Sequence, residues 1–143
     1  MAKKNATVVW QGRDLVFDAR LGSGYQYTMQ SPAGESGGSP MEFLLAAVAG
    51  CTAMDVISIL QKKRQIVHGL EVAIEGVQAE TPPNVYTQVT ITFVVQGEHV
   101  DPAAVERAIE LSHTKYCSAS AMFQRAGAEV TTTYRIQEVA PAG

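Results

Sequence analysis

Two cysteines, Cys51 and Cys117, are the residues of this chain best suited to covalent chemistry. A thiolate can attack an electrophile or hold a metal. The two stand sixty-six positions apart with no C-x-x-C between them, and His68, His99 and His113 are scattered, so the spacing is not a zinc pattern. Cys51 lies between Gly50 and Thr52, small neighbours that let a second backbone or a substrate come close. From composition alone the bland reading is the stronger one: a free cysteine in an apolar run often serves as a small buried hydrophobe. Cys117 sits in Ser112-His113-Thr114-Lys115-Tyr116-Cys117-Ser118-Ala119-Ser120. His113, Lys115 and the amides of a helix starting at Ser118 would favour a thiolate there. The same residues also read as a solvated His and Lys closing a helix beside a core cysteine.

Cys51 falls in the stretch that organises the rest. Met41 to Lys63 reads MEFLLAAVAGCTAMDVISILQKK, with Phe43, Leu44, Ala47, Val48, Cys51, Met54, Ile57 and Leu60 close to a 3.6-residue repeat. This predicts a helix of roughly 35 Å. Its first half is apolar or small throughout, so burial on all sides is expected. The cationic last turn, Lys62, Lys63 and Arg64, suits a helix C-terminus.

Ahead of this helix, Thr7–Trp10 and Leu15–Ala19 flank the turn Gln11-Gly12-Arg13-Asp14 and read as a hairpin, followed by a third strand at Tyr25–Met29. Residues 31–40 form a loop rich in Pro, Gly and Ser. After the helix come a strand through Leu70, Val72 and Ile74, with a bulge expected at Gly76, and a clear alternation at Val89, Ile91, Phe93 and Val95. The hydroxyl-rich second face of the latter should be wet or face a partner. Asp101-Pro102 opens a second helix with inner residues Val105, Ala108, Ile109 and Ser112. A short helix over residues 118–126 stops at Gly127, and Val130 to Ile136 make a last strand. The plan is α+β, with residues 1–143 expected to be one domain. A helix apolar all round needs more cover than one sheet of so short a chain supplies, which predicts a dimer packing two long helices between two sheets.

Hydrophobic residues make up 46% of the chain and charged residues 17%, which fits a globular fold with a core. The formal charge of −3 argues against a nucleic-acid binder. Glu42 and Asp55 interrupt the long helix, so no membrane span is expected. The first thirty residues lack a signal-like apolar run and two cysteines are too few for a disulfide scaffold, so a cytoplasmic location is expected.

The run Ser39 to Val56, with Cys51 inside it, resembles the helix signature of the OsmC/Ohr family of thiol-dependent peroxidases, and His113 to Ser118 resembles the segment carrying its second cysteine. Element order and length match as well. The resemblance implies an OsmC-like intertwined homodimer with antiparallel sheets around a long central helix and two active sites at the subunit interface. It implies that Cys51 is the peroxidatic cysteine, oxidised by a hydroperoxide to a sulfenic acid, and that Cys117 resolves it to a disulfide opened by an external dithiol reductant. No metal, haem or flavin is implied. In the family an arginine from the N-terminal strands activates the cysteine and a glutamate near the helix start holds it. Gly12-Arg13-Asp14 makes Arg13 the candidate, though a turn arginine can equally be solvated. Glu42 is the candidate glutamate. It lies nine residues before Cys51, about 13 Å along the axis and near the opposite helix face, so it would serve the partner's site unless the helix begins later. Two departures stand out: Met41, not an acid, follows Pro40, and Ser118 follows Cys117 where the organic-hydroperoxide branch has proline.

The expected activity is therefore reduction of hydroperoxides, organic ones above H2O2, in defence against oxidative or osmotic stress. Phe43, Leu44, Met54 and either Tyr116 or Phe123 would wall the site. The rival readings are a dimer that holds a small ligand without turnover, and a scaffold with two inert buried thiols.

Overall fold

The computed structural model describes residues 1–141. The chain forms two compact units, Met1–Leu44 and a second beginning at Leu45.

The first unit is an antiparallel meander. Strand β1 (Ala6–Trp10) pairs with β2 (Val16–Leu21), and β2 pairs with β3 (Gln26–Gln30). The hairpin turn holds Gly12 at φ +86° and Asp14 at φ 43°, the left-handed conformations a tight reversal needs, and Trp10 Nε1 donates to the Asp14 carbonyl at 3.0 Å. Helix α1 (Pro40–Lys62) starts at the end of this unit. Its first turn is a reciprocal cap: the Ser39 amide donates to Glu42 Oε1 at 2.9 Å and the Glu42 amide donates to Ser39 Oγ at 3.3 Å. Pro40 occupies the first helical position, where the missing N–H costs nothing. At the far end Arg64 takes φ 59°, and the amides of Arg64 and Gln65 turn back to the carbonyls of Gln61 and Leu60. This closes the helix as a glycine usually would.

The second unit has a three-stranded sheet in the order β4-β5-β6, with β4 at Ile66–Gln78, β5 at Tyr86–Glu98 and β6 at Glu129–Glu138. Strand β4 pairs antiparallel with β5, while β6 joins β5 in parallel. The parallel pairing is the one departure from the expected antiparallel sheets. It follows from the connection: helix α2 (Pro102–Leu111), a π-helical turn (Ser112–Tyr116) and helix α3 (Ser118–Arg125) carry the chain back to the starting edge, as a parallel pair requires. Asp101 caps α2 by accepting from the Ala103 amide at 3.0 Å, with Pro102 inside the first turn. Gly127 stands at φ +100° after α3.

The bulge expected at Gly76 is absent there. Gly76 pairs regularly with Val89, and the irregularities fall between Val67 and Gly69 and between Val77 and Gln78. Glycine is required at 76 for another reason: a Cβ would come 2.7 Å from the Tyr86 ring.

The core of the second unit is one contiguous cluster. Val89, Ile91, Phe93 and Val95 of β5 meet Val48, Val56 and Leu60 of α1 and Ala104, Val105, Ala108 and Ile109 of α2. The α1 contribution recurs every four residues, the spacing of one helix face. The other face of the sheet is polar, as its hydroxyls suggested: Gln96 donates to Gln137 at 2.9 Å, and Thr90 pairs with Thr131. Phe93 is completely buried. Phe93→Ala should cost about 3–5 kcal/mol, read as a lower urea midpoint at unchanged slope.

The expectation that the first half of α1 is buried on all sides does not hold within one chain. Val48, Thr52, Val56 and Leu60 are buried, whereas Leu44, Ala46, Ala47 and Met54 are exposed, Met54 at 72%. One sheet covers one stripe of a helix and leaves the rest open. Helix α1 is long and apolar enough to cross a membrane by length and composition. Its Val48–Leu60 stripe is nevertheless built into the core described above.

Candidate active site

Cys51 and Asp55 stand one turn apart on α1 and therefore on the same face. Cys117 arrives from the connection that follows α2. The π-helical turn after α2 closes with the Cys117 amide donating to the Ser112 carbonyl at 2.9 Å, and Cys117 then goes extended as the cap of α3. Wide turns of this kind recur at functional sites, where they redirect one residue. The two sulfurs and an Asp55 carboxylate oxygen all lie within 4.8 Å of one another. Both cysteines are free thiols, Cys51 half-buried and Cys117 buried.

A hydroxyl relay fixes the acid. Ser112 Oγ donates to Asp55 Oδ2 at 2.9 Å and lies 2.7 Å from Thr52 Oγ1. Ser112 has one proton and spends it on Asp55, so Thr52 donates to Ser112. Ser112→Ala would strand the Thr52 donor and remove one partner of Asp55. We expect a loss of about 1–3 kcal/mol, read by urea unfolding. Thr52 and Ser112 were not picked as site residues from the sequence. The available signal was Ser112 on the otherwise apolar inner stripe of α2, since a buried hydroxyl requires a partner.

Of the two readings open for Cys117, its surroundings favour a core cysteine over a thiolate. Burial pushes its thiol from 9.0 up to about 11, opposed by the Ser120 N–H, which donates to the sulfur at 3.3 Å, and reinforced by Cys51 and Asp55. The helix-start amide is present as foreseen, but desolvation outweighs it. The neighbouring cations do not offset it either. Lys115 Nζ lies over the Tyr116 ring, 5.3 Å from its centre, and His113 Nδ1 is buried without a hydrogen-bond partner among the described residues.

The other two candidates belong to the first unit. Arg13 is exposed in the β1–β2 turn, where it donates to Gln11 Oε1 at 3.4 Å. Glu42 is exposed and holds the start of α1. That helix begins at Pro40, which removes the alternative of a later start. Of the residues expected to wall the site, Phe43 packs on Tyr27 and Phe123 on Tyr86, while Met54 and Tyr116 are exposed. A groove of about 450 Å³ opens beside Asp55, lined by Ser58, Ile59, Lys62, Leu111 and Tyr116.

The comparisons with known proteins agree with this architecture. Residues 33–133 match the family model described as OsmC-like protein. The chain is 40% identical to protein YhfA of Escherichia coli K12 over 131 residues, covering 92% of this chain and 96% of the relative. It superposes on a hypothetical protein from Aquifex aeolicus VF5 with a TM-score of 0.86 at 28% identity, covering 98% of this chain and 100% of the other. An organic hydroperoxide resistance protein from Elizabethkingia anophelis shares the fold, with a TM-score of 0.70 at 15% identity over 96% of this chain and 98% of its own. The chain belongs to the OsmC-like family.

Proposed function

We propose that the chain is a cytoplasmic, thiol-dependent hydroperoxide reductase that works as a homodimer. The observation that carries this reading is the meeting of Cys51 and Cys117, distant in sequence, within 4.8 Å. In the first step the Cys51 thiolate attacks one peroxide oxygen. The O–O bond breaks, the hydroxyl stays on Cys51 as a sulfenic acid, and the alkoxide takes a proton from water and leaves as the alcohol. Cys117 then attacks the Cys51 sulfur, forming the disulfide and expelling water. Closure needs the sulfurs to approach about 2.05 Å, which side-chain rotation and a small helix adjustment supply. An external dithiol takes up the disulfide by exchange and restores both thiols. Burial suits Cys117 to the second step, because a thiol that stays protonated does not compete for peroxide.

The exposed apolar face of α1 supports the dimer, since Leu44, Ala46, Ala47 and Met54 would be covered by a second copy. Arg13 is assigned as the cation of the reacting thiolate and Glu42 as its holder. Both Ser39 hydrogen bonds to Glu42 go to Oε1, which leaves Oε2 for a guanidinium. The organic hydroperoxide resistance named for the Elizabethkingia protein supports an organic substrate.

The test mixes reduced protein with cumene hydroperoxide and counts free thiols. Rapid loss of two per chain is the expected result. A second reading, a dimer that binds a small ligand without turnover, draws on the groove beside Asp55. Unreacted thiols with saturable ligand binding would favour it.

A further inference from the structure

We propose that the reduced Cys51–Asp55–Cys117 cluster is a binding site for Zn²⁺, with two thiolates and one carboxylate as ligands and water in the fourth position. The three donor atoms already converge within 4.8 Å. Zinc bound at about 2.3 Å to sulfur and 2.0–2.2 Å to oxygen holds tetrahedral donors roughly 3.5–3.8 Å apart, so a contraction of about 1.3 Å or less completes the site. Donor chemistry and charge agree. Thiolates favour a d¹⁰ ion over harder cations. Among the described residues, Asp55 takes part in no ion pair, and Lys62 only shares its groove. Zinc would displace the thiol protons and set its positive charge beside a carboxylate that no cation pairs with.

The ligands are also oriented from behind. Ser112 holds Asp55 Oδ2 and is itself held by Thr52, leaving the second carboxylate oxygen for a metal. A hydrogen-bonded carboxylate beside two thiols is how metal ligands are usually fixed. No local sequence spacing could disclose this, because two ligands are four residues apart on one helix and the third comes from a turn much further along the chain. The site is open only while the thiols are reduced. A disulfide takes away both sulfur ligands, so oxidation would release the ion.

The test uses the full reduced chain under anaerobic conditions. Zinc is titrated against a chromophoric chelator, and cobalt is used as the spectroscopic probe. One Zn²⁺ per chain, and a cobalt spectrum with thiolate charge-transfer and tetrahedral ligand-field bands, are expected. Cys51→Ser with Cys117→Ser should abolish both, and Asp55→Asn should weaken affinity by at least about tenfold. Thiol alkylation of the folded wild-type chain gives the same readout should the double variant unfold. Oxidation by a diazene, which accepts the two electrons and two protons as the disulfide forms, should release the bound zinc. Because no hydroperoxide is used, failure here is distinguishable from failure of the peroxidase reading. The proposal is overturned by a cobalt complex without charge-transfer bands, or by equal binding in the double cysteine variant. Unchanged affinity in Asp55→Asn removes the carboxylate from the ligand set and overturns the site as stated.

Discussion

Cys51→Ser should abolish hydroperoxide consumption and spare the partner thiol: Cys117 would remain free after exposure to cumene hydroperoxide. The expected fall in rate is at least about a thousandfold, the scale of losing the nucleophile in covalent catalysis. Serine replaces one atom on the half-buried face of α1, so the core stripe of Val48, Val56 and Leu60 is untouched and the fold should persist. Circular dichroism and an unchanged unfolding midpoint check this. The asymmetry between the two cysteines makes the measurement informative. Cys117→Ser should still react once, leaving a sulfenic acid on Cys51 that a dimedone-type trap labels, and should then stall. If the Cys51 variant consumes peroxide as fast as the parent, the assignment of roles is wrong.

The second large effect is on pH. The Cys117 thiol is pushed up to about 11, chiefly by burial. At pH 7 only about one molecule in ten thousand would carry its thiolate, and that fraction rises about tenfold per pH unit until the pKa is reached. The rate of disulfide closure after a single oxidising pulse should therefore climb steeply between pH 7 and pH 10. Oxidation of Cys51 removes part of the cause, because the Cys51 thiol itself contributes to the shift, whereas desolvation remains. Stopped-flow thiol counting after a stoichiometric pulse would measure this. A closure rate independent of pH over that range would show that Cys117 is not the attacking group, or that another base removes its proton in the transition state.

The elements were readable because their signals are local. Asp101-Pro102 opens α2, the Val89–Val95 alternation is β5, and Gly127 ends α3, all from cues within a few residues. The parallel seating of β6 was not readable, since its pairing depends on where the α2–α3 connection returns the chain. The site divides in the same way. Both thiols were visible from residue type and setting. Their meeting, and the Thr52–Ser112–Asp55 relay that stands beside it, arise from contacts across about sixty residues that no spacing rule encodes. The π-helical turn over Ser112–Tyr116 was missed as well, since no local cue in those residues marks a change of helical pitch. Between the two readings of Cys117 the residues could not decide, because nearby positive residues say nothing about how far the sulfur is withdrawn from water.

The placement of Cys117 in the connection between β5 and β6 has a consequence for biosynthesis. A growing polypeptide that has emerged through residue 117 already carries both sulfurs, and α2 with Ser112 can seat the second one against α1 before β6 pairs with β5. An unfinished chain could therefore meet oxidants with its two thiols already matched, and the ability to form the internal bridge would precede the pairing of β6.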